Sequence, residues 1–131
     1  MVSVVVENAR NVGARTVVVW PGATARATPG VLNVSATPPG STGNARVELR
    51  ARSLAGAICD ALIVVEGTPG SLVAPTVDAA TSLNRAVMAI PGQVTSTQSD
   101  LPNQLIQDGQ AVLVTDARHA WQHVSQRQRL T

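Results

Sequence analysis

The chain has 131 residues, of which 44% are hydrophobic and 14% are charged, so it can bury one core and lacks the composition of a disordered protein. No apolar run approaches the roughly 18–20 residues that span a bilayer, and the N-terminus has no signal-peptide pattern. We therefore expect a cytoplasmic protein without membrane contact. The net charge is only +2, so composition alone does not establish nucleic-acid binding. Phe and Tyr are absent, so any nucleic acid must be contacted mainly by arginines and backbone amides.

The N-terminal part of the chain carries three predicted elements and a long loop. Residues 2–13 have apolar side chains at helical spacing, although their valines would also suit a strand. Residues 15–20 and 31–35 are predicted strands. Residues 37–44 are rich in Pro, Gly and Ser, which predicts an irregular loop.

A helix is predicted over residues 46–58, because apolar side chains recur there on one stripe. The stripe consists of Val47, Ala51, Leu54 and Ile58. Arg46 and Arg50 are four residues apart and share one face beside the stripe. Arg52 points nearly the opposite way if the helix is regular.

The central part of the chain has the pattern of a parallel crossover unit. The apolar runs 61–65 and 86–90 are typical of strands that are buried on both faces, and residues 72–83 between them have helical spacing. Two strands joined by a helix pair in parallel, which indicates an α/β protein. Since ligands bind at the carboxyl ends of such strands, Glu66 and the loop after residue 90 should share one working edge.

The C-terminal part alternates loop, helix, strand and helix. A polar loop at 93–99 leads into a short helix at 100–108, with Pro102 in its first turn and Gly109 after its end. Residues 111–114 are a predicted strand, and Thr115 is the predicted cap of a last helix. The apolar stripe of that helix consists of Ala117, Ala120, Trp121 and Val124. The polar residues 125–131 are expected to form a flexible tail.

Together these elements predict one Rossmann-like three-layer α/β/α domain, residues 1–131, with a mostly parallel sheet of about four to five strands. A doubly wound domain normally opens with a strand and a Gly-rich turn that binds an anion. This chain lacks both of them, and neither GxGxxG nor GxxxxGK[ST] occurs in the sequence. We therefore expect a partial version of the fold.

From about Leu32 onward the sequence resembles the DNA-processing protein A (DprA/Smf) family. Four ordered matches carry the resemblance. SATPPG at 35–40 resembles the family's Ser-Glu-x-Pro-x-Gly, and LIVVE at 62–66 with GSL at 70–72 resembles its strand and Ser-Gly-Ser-Leu turn; VMAIPG at 87–92 resembles its Val-Phe-Ala-Val-Pro-Gly. In the fourth match, Ser99, Asn103, Leu105-Ile106 and Asp108-Gly109 have the spacing of the family's Ser-x-Gly-x-Asn-x-Leu-Ile-x-Asp-Gly. The ordered set is more specific than any of its pieces.

The departures from the family concern its binding pocket. Residues 48–52 align with the family's Pro-Arg-Arg-Asn-Arg, so that Arg50 and Arg52 are kept while one Arg and the Asn are lost. Leu101 replaces a glycine, and Pro75 moves the expected start of the helix after the Gly-Ser-Leu turn to about residue 76. The family's first strand and its two Gly-rich turns are missing.

The resemblance implies a protein that binds single-stranded DNA in a basic pocket, forms a homodimer and helps to load the recombinase RecA during natural transformation. It implies phosphate contacts for Arg50 and Arg52, and proximity adds Arg46, although all three could be solvated helix charges. Gly70 and Ser71 precede a helix, where an anion or a plain turn with a cap would suit them equally. Asn103 could touch DNA, but we favour a role in tying loops together.

We predict no catalytic residue, cofactor or metal. Glu66 is the one carboxylate placed like a catalytic group, but no second carboxylate or histidine stands at an acid–base spacing, so we interpret it as an acceptor for backbone amides. The histidine pair at 119 and 123 lacks a third ligand. Cys59 is the single cysteine, which excludes an internal disulfide. Two alternatives stay open: a nucleotide-binding or nucleotide-hydrolysing Rossmann-like relative, and a degenerate protein-interaction module that does not bind DNA.

Overall fold

The computed structural model describes Val17–Trp20 and Leu32–Ser35 as backbone, and residues 44–71 and 73–130 with their side chains. The helix predicted over residues 2–13 and the loop at 37–43 lie outside the described residues. The chain forms two compact units, Met1–Ala51 and Arg52–Thr131. That residues 1–131 act as one domain stays a prediction. No helix in the described part of the chain is long and apolar enough to cross a membrane.

The first unit contains a pair of parallel strands. β1 (Val17–Trp20) pairs with β2 (Leu32–Ser35), with Val17 opposite Leu32 and Trp20 opposite Ser35. Both predicted strands are confirmed within the described residues.

Helix α1 (Ala45–Ile58) begins one residue earlier than predicted and runs across the division between the units. Its start is capped by Asn44, whose Oδ1 accepts a hydrogen bond of 3.0 Å from the backbone N–H of Val47. The predicted apolar stripe is buried at Val47 and Ala51, but Ile58 in the last turn is 47% exposed. The apolar stripe is therefore buried in the first half of the helix, half-buried at Leu54 and exposed at its C-terminal end.

The second unit is built on a three-stranded parallel sheet. β3 (Ala61–Val64), β4 (Ala86–Ala89) and β5 (Val112–Leu113) follow one another in the sheet in that order. Ala61 pairs with Ala86 and Met88 with Val112. The predicted parallel crossover and the α/β class are confirmed.

β4 is the central strand, and both of its faces are covered by helices. On one face Val87 and Ala89 pack against α2 (Val73–Ser82) and α3 (Asp100–Gln107); on the other, Met88 packs against α4 (Ala117–Arg129). The larger core cluster consists of Val64, Val77, Ala80, Val87, Ala89, Leu101, Leu105 and Ala111. The smaller one is formed by Met88, Val114 and Ala120. These layers are the predicted α/β/α arrangement.

Helix α2 begins at Val73 and not near residue 76, so Pro75 lies in its first turn. A proline is tolerated there because the first N–H groups of a helix have no acceptor within the helix. The expectation that Pro75 delays the helix is therefore wrong. The helix ends at Ser82, followed by Asn84 in a left-handed conformation with φ of 55°.

Helix α3 follows a single 3₁₀ turn, Thr97–Ser99, within the segment predicted to be a loop. Gly109 ends the helix as predicted, with φ of 71°. The N–H of Gln110 donates to the carbonyl of Leu105 at 2.9 Å, and that of Gly109 to Ile106 at 3.1 Å. This is the pairing of a Schellman motif, which satisfies carbonyls at the helix end.

Helix α4 is capped by Asp116, whose Oδ1 accepts a hydrogen bond of 2.8 Å from the N–H of His119. The prediction that Thr115 is the cap is wrong. Trp121 is 69% exposed, so it does not belong to the buried stripe; the small Ala120 packs on the sheet instead. The helix continues to Arg129, so it does not end where the flexible tail is predicted to begin.

Candidate nucleic-acid interface

The loops that follow β3 and β4 lie side by side at the carboxyl ends of the strands. The N–H of Gly67 donates to the carbonyl of Gln98 at 2.7 Å, and the N–H of Leu101 donates to the carbonyl of Gly67 at 3.0 Å. Residues 65–71 and 91–99 therefore form one surface, which we call the carboxyl rim. The prediction that both loops share one working edge is confirmed.

Asn103 holds the second of these loops in place. Its Oδ1 accepts a hydrogen bond of 3.0 Å from the N–H of Gly92, and its Nδ2 donates to the carbonyl of Gly92, also at 3.0 Å. The side chain thus ties a loop to α3, as we favoured from the sequence. A DNA contact by Asn103 stays a prediction.

Gly92 is required at this position by a close neighbour that sequence reasoning missed. A Cβ atom on Gly92 would lie 2.7 Å from the Cβ of Ser99, which is buried. The Pro-Gly end of the second apolar run therefore lets the loop pack directly on the start of α3. In the sequence Gly92 and Ser99 belong to two separate matches to the family, and nothing in either match indicates that the two residues are in contact.

Gly70 and Ser71 form the turn before α2. Gly70 is exposed, and nothing lies within 4 Å of the position that its Cβ would occupy. The Oγ of Ser71 accepts a long hydrogen bond of 3.4 Å from the N–H of Val73. Ser71 thus acts as a weak cap, and the turn is open to solvent on the side of Gly70. Anion contact at this turn stays a prediction.

The three candidate arginines project from α1, and all are exposed. Arg46 and Arg50 lie one turn apart on the same face, and Arg52 lies about 200° around the helix from Arg50 at 3.6 residues per turn. Neither Arg46 nor Arg50 has a hydrogen bond or an ion pair with another described residue. Their guanidinium groups are therefore available for phosphate.

The charges around the carboxyl rim differ from those of a basic pocket. In the described part of the second unit, the charged side chains at the rim and the adjoining helix starts are three carboxylates and one arginine: Glu66, Asp100, Asp116 and Arg118. The rim offers amides and hydroxyls to a strand of DNA, but little positive charge.

The groups considered for chemistry are dispersed. The carboxylate of Glu66 is exposed and accepts no hydrogen bond from a described residue, so our interpretation of it as an acceptor for backbone amides is wrong. Burial raises the pKa of the Cys59 thiol, which donates to the carbonyl of Gly56 at 3.2 Å. Among the described residues, no group of three or more His, Cys, Asp or Glu side chains could hold a metal.

Comparison with known proteins agrees with this architecture. The family model of DNA recombination-mediator protein A matches residues 27–125, well over half of the chain. A search of curated proteins finds no match. The similar structures include DNA processing protein A from Streptococcus pneumoniae, with a TM-score of 0.74 and 25% identity over 88% of this chain and 44% of that one.

A second similar structure, from Helicobacter pylori, concerns the single-stranded DNA binding mode of DNA processing protein A. Its TM-score is 0.70, with 16% identity over 87% of this chain and 56% of that one. The chain thus spans about half the length of these proteins. The Rossmann-like fold is shared, and the family model covers α1 and both loops of the carboxyl rim. The chain belongs to the DNA recombination-mediator protein A family.

Proposed function

We propose that the chain binds single-stranded DNA as a DNA-processing protein. The observation that carries the proposal is the family match over residues 27–125, which includes the candidate arginines and the carboxyl rim. The Helicobacter pylori relative, which has the same fold, is known for its binding of single-stranded DNA. By analogy, we take the arginines of α1 and the carboxyl rim as two separate candidate regions for contact with DNA.

The chemistry of the exposed groups supports this division of roles. Arginine presents a planar fork that pairs with two phosphate oxygens, so Arg50, Arg52 and Arg46 would bind the sugar-phosphate backbone. The open turn at Gly70 and Ser71 precedes a helix, where backbone N–H groups favour an anion. Asn103 would act mainly by holding the loop at Gly92. None of these contacts depends on base identity, so binding would show little sequence preference.

We further propose the finer role that the family resemblance implies. The chain would form a homodimer and pass DNA to a RecA-type recombinase in DNA uptake or natural transformation. It would have no chemistry of its own, because Glu66 is exposed and stands apart from a second acid–base group. Turnover of nucleoside monophosphates by the purified chain, lost in Glu66→Gln, would contradict this last point.

The proposal is tested by the fluorescence anisotropy of a labelled single-stranded oligonucleotide with a 5′-hydroxyl end. We expect Arg50→Ala to weaken binding about tenfold, since a charge-assisted contact of roughly 1.5 kcal/mol is lost. The slope of log K against log salt should fall by roughly 0.7, the value for one phosphate on a single strand. The matched control is Arg129→Ala, an exposed arginine in the last turn of α4 that lies away from the carboxyl rim and should change binding little. Equal effects of the two variants, or no binding at all, would contradict the proposal.

A further inference from the structure

The second unit has a cavity of about 230 Å³ at the opposite edge of its sheet, where β4 and β5 begin. Its polar lining comes from Thr81, Asn84, Arg85, Gln110, His123 and Arg127. We propose that this cavity binds a phosphate group, as free phosphate or as the terminal phosphomonoester of a nucleic-acid strand. The site is separate from the carboxyl rim, and it does not depend on the proposed function.

Arg127 is held over the cavity by the turn that ends α2. Its Nη2 donates to the backbone carbonyl of Asn84 at 2.6 Å and to the Oδ1 of the same residue at 2.8 Å. These contacts fix the plane of the guanidinium group. The Nε and Nη1 donors have no partner among the described residues, so they remain available to an oxyanion.

Arg85, just before β4, is the second arginine that lines the same cavity. Its Nη2 donates to the carbonyl of Ala57 near the end of α1 at 3.0 Å. Its Nε is buried and has no hydrogen-bond partner among the described residues. A buried donor without an acceptor is costly, and a bound anion beside this guanidinium would lower that cost by its charge.

The charged side chains that line the cavity favour an anion, while the helix ends around it oppose one. Roughly half a negative charge comes from each of α2 and α3, and the same holds for α1, whose Ala57 carbonyl accepts from Arg85, and for α4, whose last turn carries Arg127. The carbonyls at the ends of α2 and α3 are satisfied by backbone N–H groups, from Asn84 and Arg85 in α2 and from Gly109 and Gln110 in α3. No described lining residue is acidic, although Asp108 precedes the lining residue Gly109. The lining side chains thus carry two formal positive charges, from Arg85 and Arg127, and no negative one.

The size of the cavity limits the ligand. Its volume of about 230 Å³ is below the roughly 300–1,000 Å³ of pockets that enclose drug-sized molecules. A phosphate group fits such a space, whereas a whole nucleotide does not. The pairing of two arginines with the amide groups of Asn84 and Gln110 also matches phosphate, which accepts several hydrogen bonds at once.

The test is a titration of the isotope-labelled full chain with inorganic phosphate, followed by NMR with chloride as the ionic-strength control. We expect saturable shifts of the backbone amides of Gly109, Gln110 and Val112 and of the His123 ring. Gln110→Glu places a carboxylate in the cavity with little change in shape, and it should weaken phosphate binding at least about tenfold. Gln107→Glu, an exposed change on α3 outside the cavity lining, should not.

Two further arms identify the source of the phosphate and guard against misfolding. The first arm compares a 5′-phosphorylated oligonucleotide with the same oligonucleotide carrying a 5′-hydroxyl end. If only the phosphorylated one displaces phosphate from the cavity, the site binds a strand terminus. If neither displaces phosphate, the site binds free phosphate. Arg127→Gln should lose binding, and Arg129→Gln should retain it. Absence of saturable shifts in the wild-type chain, or equal weakening by the Gln110 and Gln107 variants, would overturn the proposal.

Discussion

At the scale of single residues, the carboxyl rim depends on a few contacts between side chain and backbone. Asn103 bonds the N–H and the carbonyl of Gly92, which gives the loop after β4 one orientation. A role for Asn103 in tying loops together could be predicted from the sequence, because an amide side chain can donate and accept hydrogen bonds at once. Its partner Gly92 could not be predicted, because the loop and the helix are brought together only by the fold. The contact of Gly92 with Ser99 was missed for the same reason.

We predict that Asn103→Ala lowers the free energy of unfolding by about 1–2 kcal/mol, because two hydrogen bonds worth roughly 0.5–1.5 kcal/mol each are lost at a partly exposed site. Urea denaturation followed by circular dichroism measures the change. The control is Gln104→Ala, the exposed neighbour on α3, which should stay within about 0.5 kcal/mol of the wild type. Equal stability of the two variants would show that the bonds to Gly92 do not stabilise the fold.

At the scale of elements, sequence periodicity located every described strand and helix, while helix ends and faces were less predictable. Gly109 was identified because glycine is the common residue after a helix end. Asn84 is the corresponding left-handed residue after α2, with φ of 55°, and only the structure shows this role. Trp121 was assigned to the apolar stripe by its spacing along the helix, but the helix packs on the sheet through the small Ala120 and Trp121 is exposed.

We predict that three Gly→Ala changes rank by their surroundings, as measured by thermal unfolding. Gly56→Ala should be the most destabilising, by about 1–3 kcal/mol, because its Cβ would overlap with the carbonyl oxygen of Thr76 where α1 passes α2. Gly109→Ala should lower the stability by about 1 kcal/mol, because alanine is strained in the left-handed conformation of this residue. The space around its Cβ is open, so no steric overlap adds to this effect.

Gly70→Ala is the matched control, because its Cβ would meet nothing within 4 Å and its φ is outside the left-handed range. This variant should stay within about 0.5 kcal/mol of the wild type. If Gly56→Ala were as stable as Gly70→Ala, the close contact between α1 and α2 would not exist in solution.

At the scale of the whole molecule, charge is distributed unevenly over the described surface. Arg46 and Arg50 on α1 are exposed. The carboxyl rim offers mainly backbone amides and hydroxyls, with carboxylates at the rim and the adjoining helix starts. Arg85 and Arg127 line the cavity at the opposite edge of the sheet. The α/β class and the family could be predicted from apolar runs and ordered motifs. The charge distribution could not, because it depends on which loops and helix ends the fold brings together.

The most direct test of the account is an NMR map of the full chain upon addition of a single-stranded oligonucleotide with a 5′-hydroxyl end. We predict saturable shifts of the amides of Gly70, Ser71 and Gly92 and of the Arg46 and Arg50 side chains, with no shift at Gly109 and Gln110. Shifts confined to the amino ends of β4 and β5, or no saturable shift at the carboxyl rim and α1, would contradict the proposal that DNA lies there.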